Sequence, residues 1–150
     1  VYNLPNTYAE LICDGHHVDP VACDILMTQK GHNHVALITD CMAAGGAPDG
    51  DYMLGELPVV VSNGTARLKD GGNLAGSILK LKDGLKNVVE WGIATPEEAV
   101  RMASYVPAVS VGIDNVCGQI KEGYAADFIV LDKHLDLVAT YLDGEKRWQS

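Results

Sequence analysis

Two short, nearly continuous apolar runs flank an amphipathic segment in the first third of the chain. We predict strands at 8–13 and 34–39, because apolar runs of this length bounded by turn residues are typical of buried strands. Between them, Asp19 is placed as an N-cap, Pro20 follows at the first helical position, and Gly31 is a C-terminal stop. A strand, a helix and a second strand in this order predict a parallel pair, and therefore the α/β class.

The middle of the chain carries the signature of a β-hairpin. The apolar runs 57–62 and 65–69 are separated by Asn63 and Gly64, the dipeptide that most strongly favours a two-residue hairpin turn. The sequence therefore predicts a hairpin insertion near 52–69, after a loop rich in Gly, Pro and Asp.

A glycine-rich segment follows the predicted hairpin. Residues 71–77 contain three glycines and precede a helical apolar stripe over about 77–91, with Gly92 as the stop. A helix that starts there would direct its free backbone N–H groups toward an anion.

The last third changes from helix to short strands. Thr95 and Glu98 form a predicted capping box around Pro96, which opens another helix. From Gly118 onward we predict short strands at 119–120, 128–131, 137–142 and 146–148.

Composition excludes some functions. The formal net charge of -9 leaves nothing basic to neutralise a nucleic-acid backbone, so we expect no nucleic-acid partner. No apolar stretch approaches the roughly 20 residues of a membrane span. No signal sequence is visible, and we expect a cytoplasmic protein without a membrane partner. The four cysteines have no paired spacing, so we predict buried free thiols.

Polar clusters follow both predicted parallel strands. Asp14, Gly15, His16 and His17 come after the first strand, and Asp40 comes after the second. Ligands of parallel α/β folds bind at the carboxyl ends of strands, so we expect these side chains to lie together at that end of the sheet. The alternative is that both aspartates only form turns, which is a common role of this residue type.

Other residues offer weaker sites. His32 and His34 precede the second strand and belong to the opposite end of the sheet, where residues more often serve stability than catalysis. The sequence contains no G-x-S-x-G elbow, no complete P-loop and no G-x-G-x-x-G motif.

Four ordered motifs carry a resemblance to a known family. They are ELICDGHHV at 10–18, LITDCM at 37–42, NLAGS at 73–77, and GQI at 118–120 with GYAADF at 123–128. With these motifs the chain resembles the N-acetylglucosamine-6-phosphate deacetylases of the amidohydrolase superfamily.

The resemblance implies an α/β fold, the C-terminal part of a (β/α)8 TIM barrel plus part of a small β domain. Residues 1–110 would hold the last barrel strands and helices, and 111–150 the C-terminal share of the β domain. A complete barrel takes about 250 residues, so we expect a piece of a longer enzyme. The metal ligands would then lie upstream of Val1, and no residue of this chain is assigned as one.

The resemblance also implies a reaction, the hydrolysis of the acetamide of N-acetylglucosamine 6-phosphate to glucosamine 6-phosphate and acetate. It needs a divalent metal such as zinc or iron in the complete enzyme, and it implies a homo-oligomer, a dimer or tetramer. Asp40 would be the general base. The implied substrate-binding residues are Asp14, Gly15, His16, His17, Leu74, Ala75 and Gly76.

Two other interpretations stay open. The chain could belong to another amidohydrolase that opens a cyclic amide, as a dihydroorotase does. It could also be a non-catalytic fragment or assembly module with no activity of its own.

Overall fold

The computed structural model describes residues 4–150, which form eight strands, four α-helices and one short 3-10 helix, His32–His34. The strands and helices in chain order are β1 Ala9–Ile12, α1 Pro20–Lys30, β2 Val35–Ile38, β3 Gly50–Leu54, β4 Leu57–Ser62, β5 Thr65–Leu68, α2 Leu81–Glu90, α3 Pro96–Ala103, α4 Tyr105–Ser110, β6 Phe128–Leu131, β7 Leu137–Leu142 and β8 Glu145–Gln149.

The first unit is the predicted parallel pair. Strands β1 and β2 pair in parallel, with α1 as the crossover between them. The Asp19 side chain accepts a hydrogen bond from the backbone N–H of Val21 at 2.9 Å, and Gly31 ends the helix. Both caps are confirmed. The main apolar core lies around this pair and includes Leu11, Met27, Val35, Leu37, Leu85, Val88 and Met102.

The second sheet is antiparallel, in the order β3-β4-β5. Asn63 and Gly64 have φ values of +49° and +77°, the left-handed pair that a type I′ turn requires, so the hairpin is confirmed. Strand β3 was not predicted, because its residues lie partly in the segment predicted as a loop. The sheet supports a second, smaller core of Met42, Ala44, Val59, Val61, Ala66 and Ala75.

Helix α2 begins at Leu81, not near residue 77. The glycine-rich segment 71–77 is therefore not at a helix N-terminus, and that prediction is wrong. The physical reason is that Leu74 bridges to Arg67 and Ser77 bridges to Cys41, so the backbone here is engaged between two strands. Three of its N–H groups, those of Gly72, Ala75 and Ser77, donate to backbone carbonyls rather than toward an anion.

The C-terminal part contains the predicted capping box. The Thr95 N–H donates to Glu98 Oε2 at 2.8 Å, and the Glu98 N–H donates to Thr95 Oγ1 at 3.3 Å. The predicted strands at 128–131, 137–142 and 146–148 are present as β6, β7 and β8, whereas 119–120 form no strand. The three strands form an antiparallel sheet. The division into 1–110 and 111–150 stays a prediction.

The cysteines are all free thiols, as expected. Cys13 and Cys23 are buried, but Cys41 is exposed and Cys117 is half-buried, so burial was predicted correctly for only two of the four. Cys41 lies beyond the end of β2, outside the buried part of that strand. No helix within residues 4–150 is both long and apolar enough to cross a bilayer.

Candidate active site

Two aspartates lie at the same edge of the parallel pair. Ile12 and Ile38 are the last paired residues of β1 and β2. Asp14 and Asp40 each follow two residues later, so both leave the sheet at its carboxyl edge. The structure therefore places these two predicted residues at one end of the fold.

Asp14 holds the turn after β1 through both carboxylate oxygens. Its Oδ1 accepts the backbone N–H groups of His16 and His17 at 2.8 and 2.9 Å, and its Oδ2 is 2.7 Å from His17 Nδ1. The two side chains are only 9% and 19% exposed. Because a carboxylate only accepts hydrogen bonds, Nδ1 of His17 carries the proton.

The electrostatics of this turn favour the ionised carboxylate. Burial by itself would raise the pKa of Asp14, but the hydrogen bonds from His17 and His16 outweigh it and hold the pKa below its ordinary value. No hydrogen bond within the described part of the chain engages Nε2 of His17, which leaves that nitrogen for a ligand.

Gly15 and His16 have different positions in the same turn. Gly15 has φ +76°, and a Cβ there would lie 3.5 Å from the Trp91 ring. A glycine suits this backbone because residues with a Cβ rarely adopt it. The ring of His16 is exposed, and only its backbone contacts Asp14.

The end of β1 is anchored by helix α2. Nδ2 of Asn87 donates to the Cys13 carbonyl at 2.9 Å. Gly84 allows a close approach, since a Cβ there would lie 3.2 Å from Leu79 and 3.8 Å from the same carbonyl. The helix therefore fixes the residue that immediately precedes Asp14.

Asp40 differs from Asp14 in having a free carboxylate. The residue is exposed, and no hydrogen bond or ion pair within residues 4–150 engages its side chain. Its backbone has φ +47°, in the left-handed region, and its carbonyl accepts the N–H of Ser77 at 3.1 Å.

Leu74, Ala75 and Gly76 run from β5 to Asp40. Ala75 is buried, and its N–H donates to the Ala66 carbonyl at 2.9 Å. Gly76 has φ +73°, and a Cβ there would lie 3.6 Å from the Asp40 carbonyl oxygen. This segment is therefore next to Asp40, although not at a helix terminus.

Among residues 4–150, no three His, Cys, Asp or Glu side chains come together in a group that could hold a metal ion. The described residues therefore do not supply a complete ligand set.

His32 lies at the opposite end of β2, as predicted. Its Nε2 is 3.0 Å from the Ile93 carbonyl and its Nδ1 is 3.4 Å from Glu98 Oε1, contacts that join the turn before β2 to α3. His134 is exposed in the turn between β6 and β7.

Sequence reasoning missed two residues that build the site, Asn87 and Ser77. Asn87 acts on a carbonyl 74 residues away and Ser77 on one 38 residues away. Ser77 closes the NLAGS motif, but no local pattern indicates which carbonyl its hydroxyl reaches.

Comparison with known proteins gives the family. The amidohydrolase family model matches residues 2–148. The chain is 40% identical over 140 residues to N-acetylglucosamine-6-phosphate deacetylase of Vibrio furnissii, covering 93% of this chain and 35% of that protein. It is 40% identical over 138 residues to N-acetylgalactosamine-6-phosphate deacetylase of Escherichia coli O157:H7, covering 92% of this chain and 36% of that protein.

Solved structures agree with these relatives. N-acetylglucosamine-6-phosphate deacetylase from Thermotoga maritima superimposes with a TM-score of 0.90 at 36% identity, over 99% of this chain and 40% of that one. A mutant of the Mycobacterium smegmatis enzyme, in complex with N-acetyl-D-glucosamine-6-phosphate, superimposes with a TM-score of 0.89 at 32% identity. This match covers 97% of this chain and 39% of that one.

The chain thus spans between a third and two fifths of the length of these four proteins. Its α/β fold corresponds to part of a (β/α)8 barrel with part of a small β domain, as the sequence predicted. With 147 of its residues inside the family match, the chain belongs to the amidohydrolase family.

Proposed function

We propose that this chain contributes the general base and part of the substrate site to an enzyme that hydrolyses the acetamide of N-acetylglucosamine 6-phosphate. The observation that carries the proposal is the shared carboxyl edge, where the free carboxylate of Asp40 lies in register with the hydrogen-bonded pair of Asp14 and His17. The named relatives and the ligand complex of the Mycobacterium smegmatis mutant support this substrate.

The proposed role of Asp40 is proton transfer. Its carboxylate takes a proton from the water that attacks the acetamide carbon, and a C–O bond forms. When the C–N bond breaks, Asp40 returns that proton to the leaving nitrogen. The products are the free amine and acetic acid, which loses its remaining proton to solvent and becomes acetate, and Asp40 is again ionised. The exposed, unpaired carboxylate is suited to this cycle because no other group competes for it.

The proposed role of His17 is substrate binding. Asp14 fixes the ring through Nδ1, so Nε2 keeps one orientation and can meet an oxygen of the sugar phosphate. Gly15 and His16 shape the turn, and the backbone of Leu74, Ala75 and Gly76 lines the approach to Asp40.

Amidohydrolases are generally metal-dependent. A divalent ion such as zinc or iron lowers the pKa of bound water and polarises a carbonyl. We propose that its ligands are supplied from outside these 150 residues, because the described residues do not form a ligand group. A cytoplasmic location and a homo-oligomeric state also stay predictions.

The test is acetate release by the complete gene product. We expect turnover of N-acetylglucosamine 6-phosphate with a kcat/KM well above that for the unphosphorylated sugar. The second candidate substrate is N-acetylgalactosamine 6-phosphate, the C4 epimer, which the name of the Escherichia coli relative favours. A higher kcat/KM for that sugar would move the substrate assignment to it. Ring opening of a cyclic amide, or no amide hydrolysis at all, would overturn the proposal.

A further inference from the structure

Ser77 is a fully buried residue that hydrogen-bonds to the backbone before, at and after Asp40. Its Oγ donates to the Thr39 carbonyl, and its N–H donates to the Asp40 carbonyl at 3.1 Å. Its own carbonyl accepts the Met42 N–H at 2.9 Å. The side chain is 2% exposed, so these bonds are shielded from water.

The backbone that Ser77 holds is unusual. Asp40 has φ +47°, in the left-handed region that is uncommon for residues with a Cβ, although aspartate adopts it more often than most. The carboxylate itself has no partner within residues 4–150, so nothing at its own end fixes its direction. The backbone between Thr39 and Met42 therefore sets the point and direction from which the Asp40 side chain leaves the chain.

We propose that Ser77 is the positioning residue for Asp40, acting through the hydrogen bond from its hydroxyl to the Thr39 carbonyl. This inference rests on the proposed role of Asp40 as general base. Ser77 acts through Asp40 and does not touch the substrate.

The same residue joins the base to the segment 74–76. Gly76 precedes Ser77 and approaches the Asp40 carbonyl closely enough that a Cβ would lie 3.6 Å away. The hydroxyl also accepts the Leu79 N–H at 3.1 Å, which fixes the chain on the other side. Ser77 thus couples the base to the proposed substrate segment.

The test is steady-state kinetics of Ser77→Ala in the complete gene product. We expect kcat to fall about tenfold, because a misplaced base slows proton transfer, while KM changes little. Ser110→Ala is the matched control, since the Ser110 hydroxyl also donates to a backbone carbonyl, that of Pro107 at 2.8 Å, away from this site. Should Ser77→Ala fail to fold, Ser77→Cys keeps a donor at the same position, on a somewhat larger side chain, and weakens the bond.

A double-mutant cycle separates positioning from a general structural role. In an Asp40→Asn background, Ser77→Ala should change the residual turnover by less than about twofold, since the group it positions is already gone. Equal losses in both backgrounds would overturn the inference. If Asp40→Asn lowers kcat but Ser77→Ala does not, Ser77 is not a positioning residue and the proposed function stands. If Asp40→Asn itself leaves kcat unchanged, it is the proposed function of Asp40 that fails.

Hydrogen exchange gives a readout that needs no activity. Ser77→Ala should speed amide exchange in the segment from Asp40 to Met42, whereas Ser110→Ala should not. Unchanged amide exchange in that segment would overturn the inference, whichever substrate the enzyme hydrolyses.

Discussion

Asp14 makes two kinds of contact in its turn, one with the backbone and one with a side chain. One carboxylate oxygen closes the turn after β1 by accepting two backbone N–H groups, and the other holds the ring of His17. A turn-forming aspartate is therefore not an argument against a functional one. Here the turn is what brings the histidine to the carboxylate.

His17 and His16 are neighbours with opposite environments, which makes them a matched pair. We predict that His17→Ala raises KM for the phosphorylated sugar by about tenfold or more, the effect of losing a charge-assisted hydrogen bond. His16→Ala removes an exposed ring and should leave KM nearly unchanged. Steady-state kinetics of both variants measures this difference. Equal effects would show that His17 has no special part in binding.

The lowered pKa of Asp14 predicts a pH-dependent contribution to stability. A carboxyl group whose pKa is lower in the folded chain stabilises it above the ordinary value of 3.8, and this contribution is lost as the pH falls through the folded pKa. Asp14→Asn should therefore lower the unfolding midpoint most near neutral pH and progressively less in acid. Thermal unfolding of both proteins from pH 7 to pH 3 measures this. A difference between their unfolding midpoints that does not change with pH would contradict the prediction.

Asp40→Asn tests the proposed base directly. The amide has nearly the same size but cannot accept the proton of water, so turnover should fall by roughly 10² or more. Asp143→Asn is the matched control, because Asp143 is also exposed and has a left-handed φ of +51°, in the turn between β7 and β8. Near wild-type turnover of Asp40→Asn in the complete gene product would show that another group is the base.

At the scale of elements, the site depends on where helix α2 begins. The chain from Ser77 to Lys80 stays extended because Ser77 bridges to Cys41, and the helix then starts without a side-chain cap. This delay lets Asn87 and Gly84 face the carboxyl end of β1. A helix starting at residue 77 would present a different face to the site.

The capping box of α3 offers a prediction for one element. Thr95→Ala removes the hydroxyl that accepts the Glu98 N–H, and the free energy of unfolding should fall by about 1 kcal/mol. Thr95→Ser keeps that acceptor, so its free energy of unfolding should stay within a few tenths of a kcal/mol of the parent value. Urea unfolding of the three proteins measures the differences. Similar losses in both variants would show that the methyl group, not the cap, stabilises this helix.

At the scale of the whole molecule, the chain leaves much apolar surface uncovered. Between α4 and β6, Val111 is 68% exposed and Ile120 is 89% exposed, with Ile113 and Val116 nearby. Within residues 4–150, β1 pairs only with β2, so its other edge is open. Open strand edges and apolar patches both favour association.

We therefore predict that the 150-residue chain expressed alone associates and binds a hydrophobic dye. It should release no acetate and hold no stoichiometric metal, since the described residues bring together no ligand group for a catalytic zinc-type site. Light scattering, metal content after dialysis and an acetate assay measure these properties. One tightly held metal per chain together with turnover would show that the site is complete in these residues.

The sequence by itself determined the elements whose signals are local. The caps of α1, the capping box of α3 and the Asn63-Gly64 turn each depend on residues within four positions of one another. The parallel pair followed from the order of these elements. The placement of Asp14 and Asp40 at one edge followed in turn from that pairing.

Only the tertiary structure decided the features that depend on distant partners. These features are the late start of α2, the exposure of Cys41, and the two hydrogen bonds from Ser77 and Asn87 to the strand ends. The two hydrogen bonds join residues tens of positions apart. A hydroxyl or amide is compatible with many carbonyl partners, and the sequence does not indicate which one packing brings within reach. The types of residue that follow the two parallel strands were therefore readable from the chain, whereas the hydrogen bonds that hold the backbone around Asp40 were set by the fold.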